Sequence, residues 1–232
     1  MCGRFTLKKN GAEVADHFGL ADAPVLTARY NIAPTQPVLV VRAGANTPRR
    51  EAVHLRWGLT PAWAKAGQFR APLINARAET LAAKPAFRQA FKERRCLIPA
   101  DGFYEWAAVS RGLAGKWIPD ASAGRQPWRM ERLNQELFAL AGLWEYGPRA
   151  EGGSEQPGES ECCTMITTAA ASWMAPFHDR MPVVMPPERY ADWLDPQAGT
   201  VKEWAEMLQH TPVEGWQMIP VAGKLPGDAA GR

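Results

Sequence analysis

Cys2 of the opening MCGRF places the chain's most reactive side chain where loss of one residue, Met1, sets a thiol beside a free α-amine. With an aldehyde, such an amine forms an imine, and the neighbouring thiol closes onto it to give a five-membered thiazolidine ring. The α-amine ionises at roughly 7.7–8, so part of it is neutral and nucleophilic near pH 7, and a nearby carboxylate can accept the proton it sheds. Position alone does not separate this chemistry from a chance Met-Cys start. Other groups suited to proton work lie far along the chain: Asn75 in PLINAR, Glu105 in FYEW and His178 in FHDRMP. Taken singly, Asn75 fits a turn residue and Glu105, between Tyr104 and Trp106, a strand position facing solvent. His178, between Pro176 and Pro182, fits a hydrogen-bonded scaffold as well as a proton carrier.

Each of three arginines stands two residues from one of these groups: Arg4 from Cys2, Arg77 from Asn75 and Arg180 from His178. The net charge of +3 conceals that clustering. Residues 150–161 hold four glutamates and no basic residue, and without them the chain carries +7. That balance permits a phosphate-binding face. The four cysteines, Cys2, Cys96, Cys162 and Cys163, form no CxxC pair and read as free thiols of a reducing compartment. The four histidines lack zinc-site spacing, so neither a metal nor any other cofactor is expected.

The elements that must position these groups alternate between strand and short helix. Of the 232 residues, 46% are hydrophobic, enough for a packed core. The apolar run PVLVV falls far short of the roughly 20 residues of a membrane span, and the first residues lack a secretory signal. The spacing of Val14, Ala15 and Phe18 predicts a helix over 11–20 with His17 on its solvated side. RYNIAPTQ (29–36) reads as a proline-punctuated loop, followed by a hairpin of strands at 37–41 and 52–59 around a turn at 44–48. Residues 60–75 read as irregular, and 85–95 as a helix with Pro85 in its first turn and Phe87 and Phe91 on its buried face. Residues 96–109 read as two strand pieces hinged at 99–102. Further strands are expected at 127–133, 137–146, 162–169 and 215–221, and helices at 188–194 and 201–209 (with His210 at the end of the second). Between them lie loops at 110–126 and 147–161, read as hairpin extensions. The architecture predicted is α+β: one domain over 1–222 with a mixed or antiparallel, barrel-like β core, peripheral helices and a frayed tail at 223–232.

Together, MCGRF, RYNIAPTQ, WGLTPAWA, PLINARAET, CLIPADGFYEW and ITTAAASWMAPFHDRMPVVM, in this order across about four-fifths of the chain, resemble the SOS response-associated peptidase (SRAP) family. The resemblance implies a protein that removes its own initiator methionine and caps abasic sites in single-stranded DNA through a covalent thiazolidine. It makes Cys2 the nucleophile, Asn75 the group orienting it and the sugar, Glu105 the acid/base and His178 the proton donor. It assigns Gly3, Arg4, Pro34, Trp63, Arg77, Thr168 and Arg180 to the DNA. Relatives of that family can carry two adjacent tryptophans where this chain has Trp63 followed by Ala64, so half of a base-stacking wedge is missing. The partner implied is abasic single-stranded DNA, with no membrane, for a monomer in the cytoplasm, nucleoid-associated if bacterial. Two other readings stay open: a cysteine peptidase acting on other substrates, and a non-covalent single-strand binder.

Overall fold

The computed structural model describes residues 2–44, 49–64, 71–112, 115–147, 161–209, 211–212, 214–222 and 225. Met1, most of the turn at 44–48, the interior of the 147–161 loop, His210 and all of 223–232 except Leu225 lie outside the described residues. In chain order the elements begin with β1 (Arg4–Leu7), α1 (Gly11–Phe18), β2 (Arg29–Ile32), β3 (Pro37–Ala43), β4 (Arg50–Trp57) and β5 (Asn75–Arg77). Next come α2 (Arg88–Glu93), β6 (Arg95–Ala100), β7 (Gly102–Ala107), β8 (Val109–Arg111), β9 (Trp117–Pro119) and β10 (Gln126–Arg132). They are followed by β11 (Phe138–Tyr146), β12 (Glu161–Ala169), β13 (Arg180–Pro182), β14 (Val184–Met185), α3 (Tyr190–Leu194), α4 (Val201–Met207) and β15 (Trp216–Pro220).

β12 pairs with both β4 and β11, while β3 and β6 bridge those two, so β12, β4, β3, β6 and β11 close on themselves as a barrel. β12 runs parallel to β4 and β5, and the rest of the ring is antiparallel, which makes the sheet mixed. The second sheet, β15–β10–β7–β1–β2, is antiparallel throughout. The α+β architecture with a barrel-like core is therefore the one expected. β6 is buried along its whole length, which explains why RCLIPA lacks the alternation of a half-exposed strand. Phe5 of β1 meets Trp57 of β4 edge to face at 5.3 Å, joining the two sheets.

Between β6 of the barrel and β7 of the second sheet stands a single residue, Asp101, in the hinge read from 99–102. Its backbone N–H donates to the Thr6 carbonyl, and its buried carboxylate accepts from Thr6 Oγ1 at 2.6 Å and from the Lys8 N–H at 2.5 Å. These bonds fix β1, and with it the position of Cys2. A Cβ on Gly102 would lie 2.9 Å from Thr6 Oγ1, so the strand beginning there needs glycine. Behind the barrel, the Arg95 guanidinium is 2% exposed and donates to the carbonyls of Phe91, Lys92, Trp193 and Asp195, while stacking on Trp204 at 3.5 Å. One side chain thus satisfies the orphan carbonyls that end α2 and α3.

Several local expectations need correction. RYNI is a strand, β2, because its backbone completes the edge of the second sheet against β1. The irregular stretch ends in β5, a short strand added to β12. Pro85 lies outside α2, which starts three residues later, while Phe87 and Phe91 are buried as expected. α1 stops at Phe18, where Gly19 takes a left-handed conformation (φ 62°). His17 is not on a solvated face: it is half-buried and its Nε2 lies 3.0 Å from Tyr190 Oη, since α3 packs against α1 there. All four cysteines are free and buried, and Leu225 is 3% exposed.

Candidate active site

Cys2 enters β1 directly, and β1 lies against β7 with Arg4 opposite Tyr104 and Phe5 opposite Phe103. Continuing that register brings Glu105 to the strand end that carries Cys2. β7 is also paired on its other side by β10 and is covered on both faces, with Glu105 3% exposed; the solvent-facing strand position is thereby corrected. On the barrel side, β5 pairs with β12 through Asn75 opposite Met165, and Asn75 Nδ2 donates to the Cys2 carbonyl at 2.9 Å. Its Oδ1 is buried without a hydrogen-bond partner among the described residues. β12 pairs with β13 on the far side, Ala169 opposite Arg180, so one strand end gathers Asn75, Arg77, Thr168 and Arg180.

The electrostatics suit proton transfer. Burial, reinforced by the charge of Glu105, pushes the Cys2 thiol well above its ordinary value, so the sulfur is protonated at rest. Burial likewise raises the Glu105 carboxyl to about 7, against the pull of the positive amino terminus and Arg125. A carboxyl at that value exchanges protons readily at neutral pH. Glu105 acts on the charge of the Cys2 thiol, so the two groups are neighbours in the same buried site.

His178 follows a tight turn held by its own N–H to the Met174 carbonyl, and Phe177 anchors it against Trp117 and Trp128. Its Nδ1 lies 2.9 Å from the Arg180 backbone N–H and 2.7 Å from Asp179 Oδ1. Both cannot be hydrogen bonds at once: a neutral Nδ1 accepts from Arg180, and a protonated one donates to Asp179. Burial lowers the ring's pKa, which selects the neutral form with its proton on Nε2.

The cations differ in how they are held. Arg77 is exposed, and Arg4 Nη1 donates to the Gly3 carbonyl at 2.8 Å. Arg180 makes a two-bond contact with Glu79 (2.6 and 3.0 Å) and also donates to the Thr167 carbonyl at 2.7 Å. Pro34 is half-buried in the turn after β2, and Trp63 is 54% exposed beside buried Ala64. Sequence reading missed Glu79, Arg125 and Asp179: Glu79 pairs with Arg180, and, against the larger effect of burial, Arg125 pulls the Glu105 carboxyl down and Asp179 pulls the His178 ring up. Glu79 and Asp179 sit inside the quoted motifs, whereas Arg125 comes from the far end of a hairpin and leaves no local signal.

A barrel with a side sheet, with a buried cysteine and carboxyl and a half-buried asparagine at their junction, defines the class of protein. The profile of the SOS response associated peptidase (SRAP) family matches residues 1–226, and the chain belongs to that family. It is 37% identical over 201 residues to abasic site processing protein YoaM of Bacillus subtilis, covering 85% of this chain and 80% of that one. Abasic site processing protein YedK of Escherichia coli is 28% identical over 84% of this chain and 79% of its own. A crystal structure of a protein from Bordetella bronchiseptica superimposes with a TM-score of 0.76 at 25% identity, covering 97% of this chain and 100% of the other.

Proposed function

We propose that this protein captures abasic sites in single-stranded DNA as a covalent thiazolidine on Cys2, after removing its own Met1. The observation that carries the reading is the buried Glu105 carboxyl, poised at about 7 and close enough to the Cys2 thiol to act on its charge.

Because the thiol is protonated at rest, self-cleavage starts with Glu105 accepting its proton. The sulfur attacks the Met1 carbonyl carbon, the acyl group passes from nitrogen to sulfur, and water hydrolyses the thioester to free methionine and the Cys2 amine. Asn75, bound to the Cys2 carbonyl, keeps that residue in place through the exchange. The abasic deoxyribose is mostly a closed hemiacetal, and His178 Nε2–H holds the ring oxygen as the aldehyde opens. The amine then adds to the aldehyde carbon. Loss of one water gives the imine, and the sulfur adds across C=N while its proton moves to nitrogen. The amine's ordinary pKa and the carboxyl's differ by only about 1, so passing protons between them costs roughly 1 kcal/mol. Ring closure removes the C=N bond that would acidify the adjacent carbon and expel the phosphate, so the strand stays intact. Run backwards, proton transfer through Glu105 releases the DNA.

Gly3, Arg4, Pro34, Trp63, Arg77, Thr168 and Arg180 hold the strand in this reading, with cations at phosphates and flat surfaces under bases. The protein acts as a monomer through a domain over 1–222, in the cytoplasm, nucleoid-associated if bacterial. The test is a denaturing gel after mixing with single-stranded DNA carrying one abasic site. A retarded band is expected for the wild type and none for Cys2→Ser, which lacks the sulfur needed both to release Met1 and to close the ring. A band that persists in Cys2→Ser overturns the reading, and Cys2-dependent turnover of an unrelated peptide without any band replaces it with a general peptidase.

A further inference from the structure

The hairpin β8–β9 takes no part in the site so far described, yet it is built against it. Trp117 of β9 packs edge to face on Trp128 of β10 at 4.6 Å and on Phe177 at 6.0 Å, the residue that anchors His178. The hairpin therefore stands on the β7–β10 side of Cys2, whereas Arg77, Thr168 and Arg180 gather on the β5–β12–β13 side.

Its charge is one-sided. Residues 109–126 contain Arg111, Lys116 and Arg125 against a single acid, Asp120. That aspartate is occupied locally, accepting from the Ser122 N–H and from Ser122 Oγ at 2.6 Å. All three cations are exposed, and none forms an ion pair among the described residues. Arg111 lies over the Trp117 ring at 4.9 Å, and Arg125 donates to the Trp106 carbonyl at 2.7 Å, so both heads are held near the rim. Arg125 is also close enough to act on the charge of Glu105 and His178. Ile118, exposed on the face of β9 opposite Trp117 and on the same face as Lys116, offers an apolar surface of the kind on which a base rests. On the opposite flank Arg180 is neutralised by Glu79, which leaves the hairpin as the less compensated positive surface.

We infer that the β8–β9 hairpin is a second phosphate clamp, gripping the single strand on the side of the abasic nucleotide opposite Arg77 and Arg180. The inference rests on the proposal that the substrate is single-stranded DNA, and it adds the direction in which the strand leaves the site. Exposed arginines and a lysine flanking an apolar patch suit a flexible polyanion, whose phosphates reach cations that are not arranged to bind one small anion.

The probe is an oligonucleotide with tetrahydrofuran in place of the abasic sugar, which has no aldehyde and reports non-covalent binding alone. The log–log salt dependence of its affinity is expected to be shallower by about 1.4 in Arg111→Gln/Lys116→Gln, at about 0.7 per lost phosphate contact on a single strand. Trimming nucleotides from one side of the lesion should remove the same increment from the wild type and nothing further from the variant. Lys116→Gln alone, an exposed and conservative change, should lower the slope by about 0.7 and covers the case of a double variant that does not fold. An unchanged slope in properly folded variants overturns the clamp. Failure of the underlying reading looks different: wild-type protein then binds the probe but gives no band with natural abasic DNA.

Discussion

Glu105→Gln should make the protein more stable and less active, with both effects set by pH. In the folded chain the carboxyl stands at about 7 because it is buried, whereas an exposed glutamate ionises near 4.5. Below about 4.5 both folded and unfolded chains carry the proton, and the residue costs nothing by ionisation. As the pH rises from there to about 7 the unfolded chain loses its proton first, so stability declines, and above about 7 the decline is complete. The full loss is on the order of 3 kcal/mol, an upper value because the amide also forfeits the attraction of the amino terminus and Arg125. Urea unfolding of both proteins without DNA, at about pH 5 and pH 8, reads the difference through the midpoints. The variant should approach the wild type at the lower pH and exceed it by up to about 3 kcal/mol at the higher. Cross-linking by the wild type should rise with an inflection near 7, and the variant should be slower by about 100-fold or more without that inflection. A stability difference independent of pH, or a variant less stable at pH 8, would refute the buried, poised carboxyl.

Further outcomes follow from individual contacts. Asp101→Ala should cost about 2–3 kcal/mol, since it leaves the Lys8 N–H without its acceptor and Thr6 Oγ1 with only the longer 3.3 Å bond to the Gly102 carbonyl, and cross-linking should fall with it because β1 follows Cys2. Thermal melting and the denaturing gel read the two effects. Arg95→Met should cost about 3 kcal/mol or more in denaturant unfolding by stripping carbonyls at the ends of α2 and α3 of their donor, with no direct effect on the chemistry of surviving folded protein. Glu79→Gln should strengthen binding to tetrahydrofuran-containing single strands and steepen its salt dependence by about 0.7, because Arg180 is then no longer neutralised.

The residues of the proposed site were legible as candidates because they lie in short, distinctive segments. MCGRF, PLINAR, FYEW and FHDRMP each bring one group of the proposed chemistry: Asn75 and Glu105 lie in β5 and β7, and Cys2 and His178 stand two residues before β1 and β13. The environments were less legible. Glu105 alternates with aromatic residues like an exposed strand position, but β7 is an interior strand covered on both faces, which the local pattern does not show. RYNI was read as a loop because its proline neighbour dominates the local pattern, while its strand character comes from β1, more than twenty residues away. His17 was placed in solvent by helical periodicity, which cannot anticipate Tyr190 arriving from the other end of the chain. The closure of the barrel rests on β12 meeting β4 in parallel, a pairing between distant segments that local pattern does not encode.

The central claim is that nitrogen and sulfur of one residue hold the sugar carbon together. Peptide mapping by mass spectrometry of the cross-linked protein, with and without prior borohydride, tests it most directly. The account predicts an adduct confined to the Cys2 peptide, formed with loss of one water, lacking Met1 and unaltered by the reductant because no C=N bond remains. An adduct on a lysine, or one on Cys2 that gains hydrogen from borohydride, would contradict it.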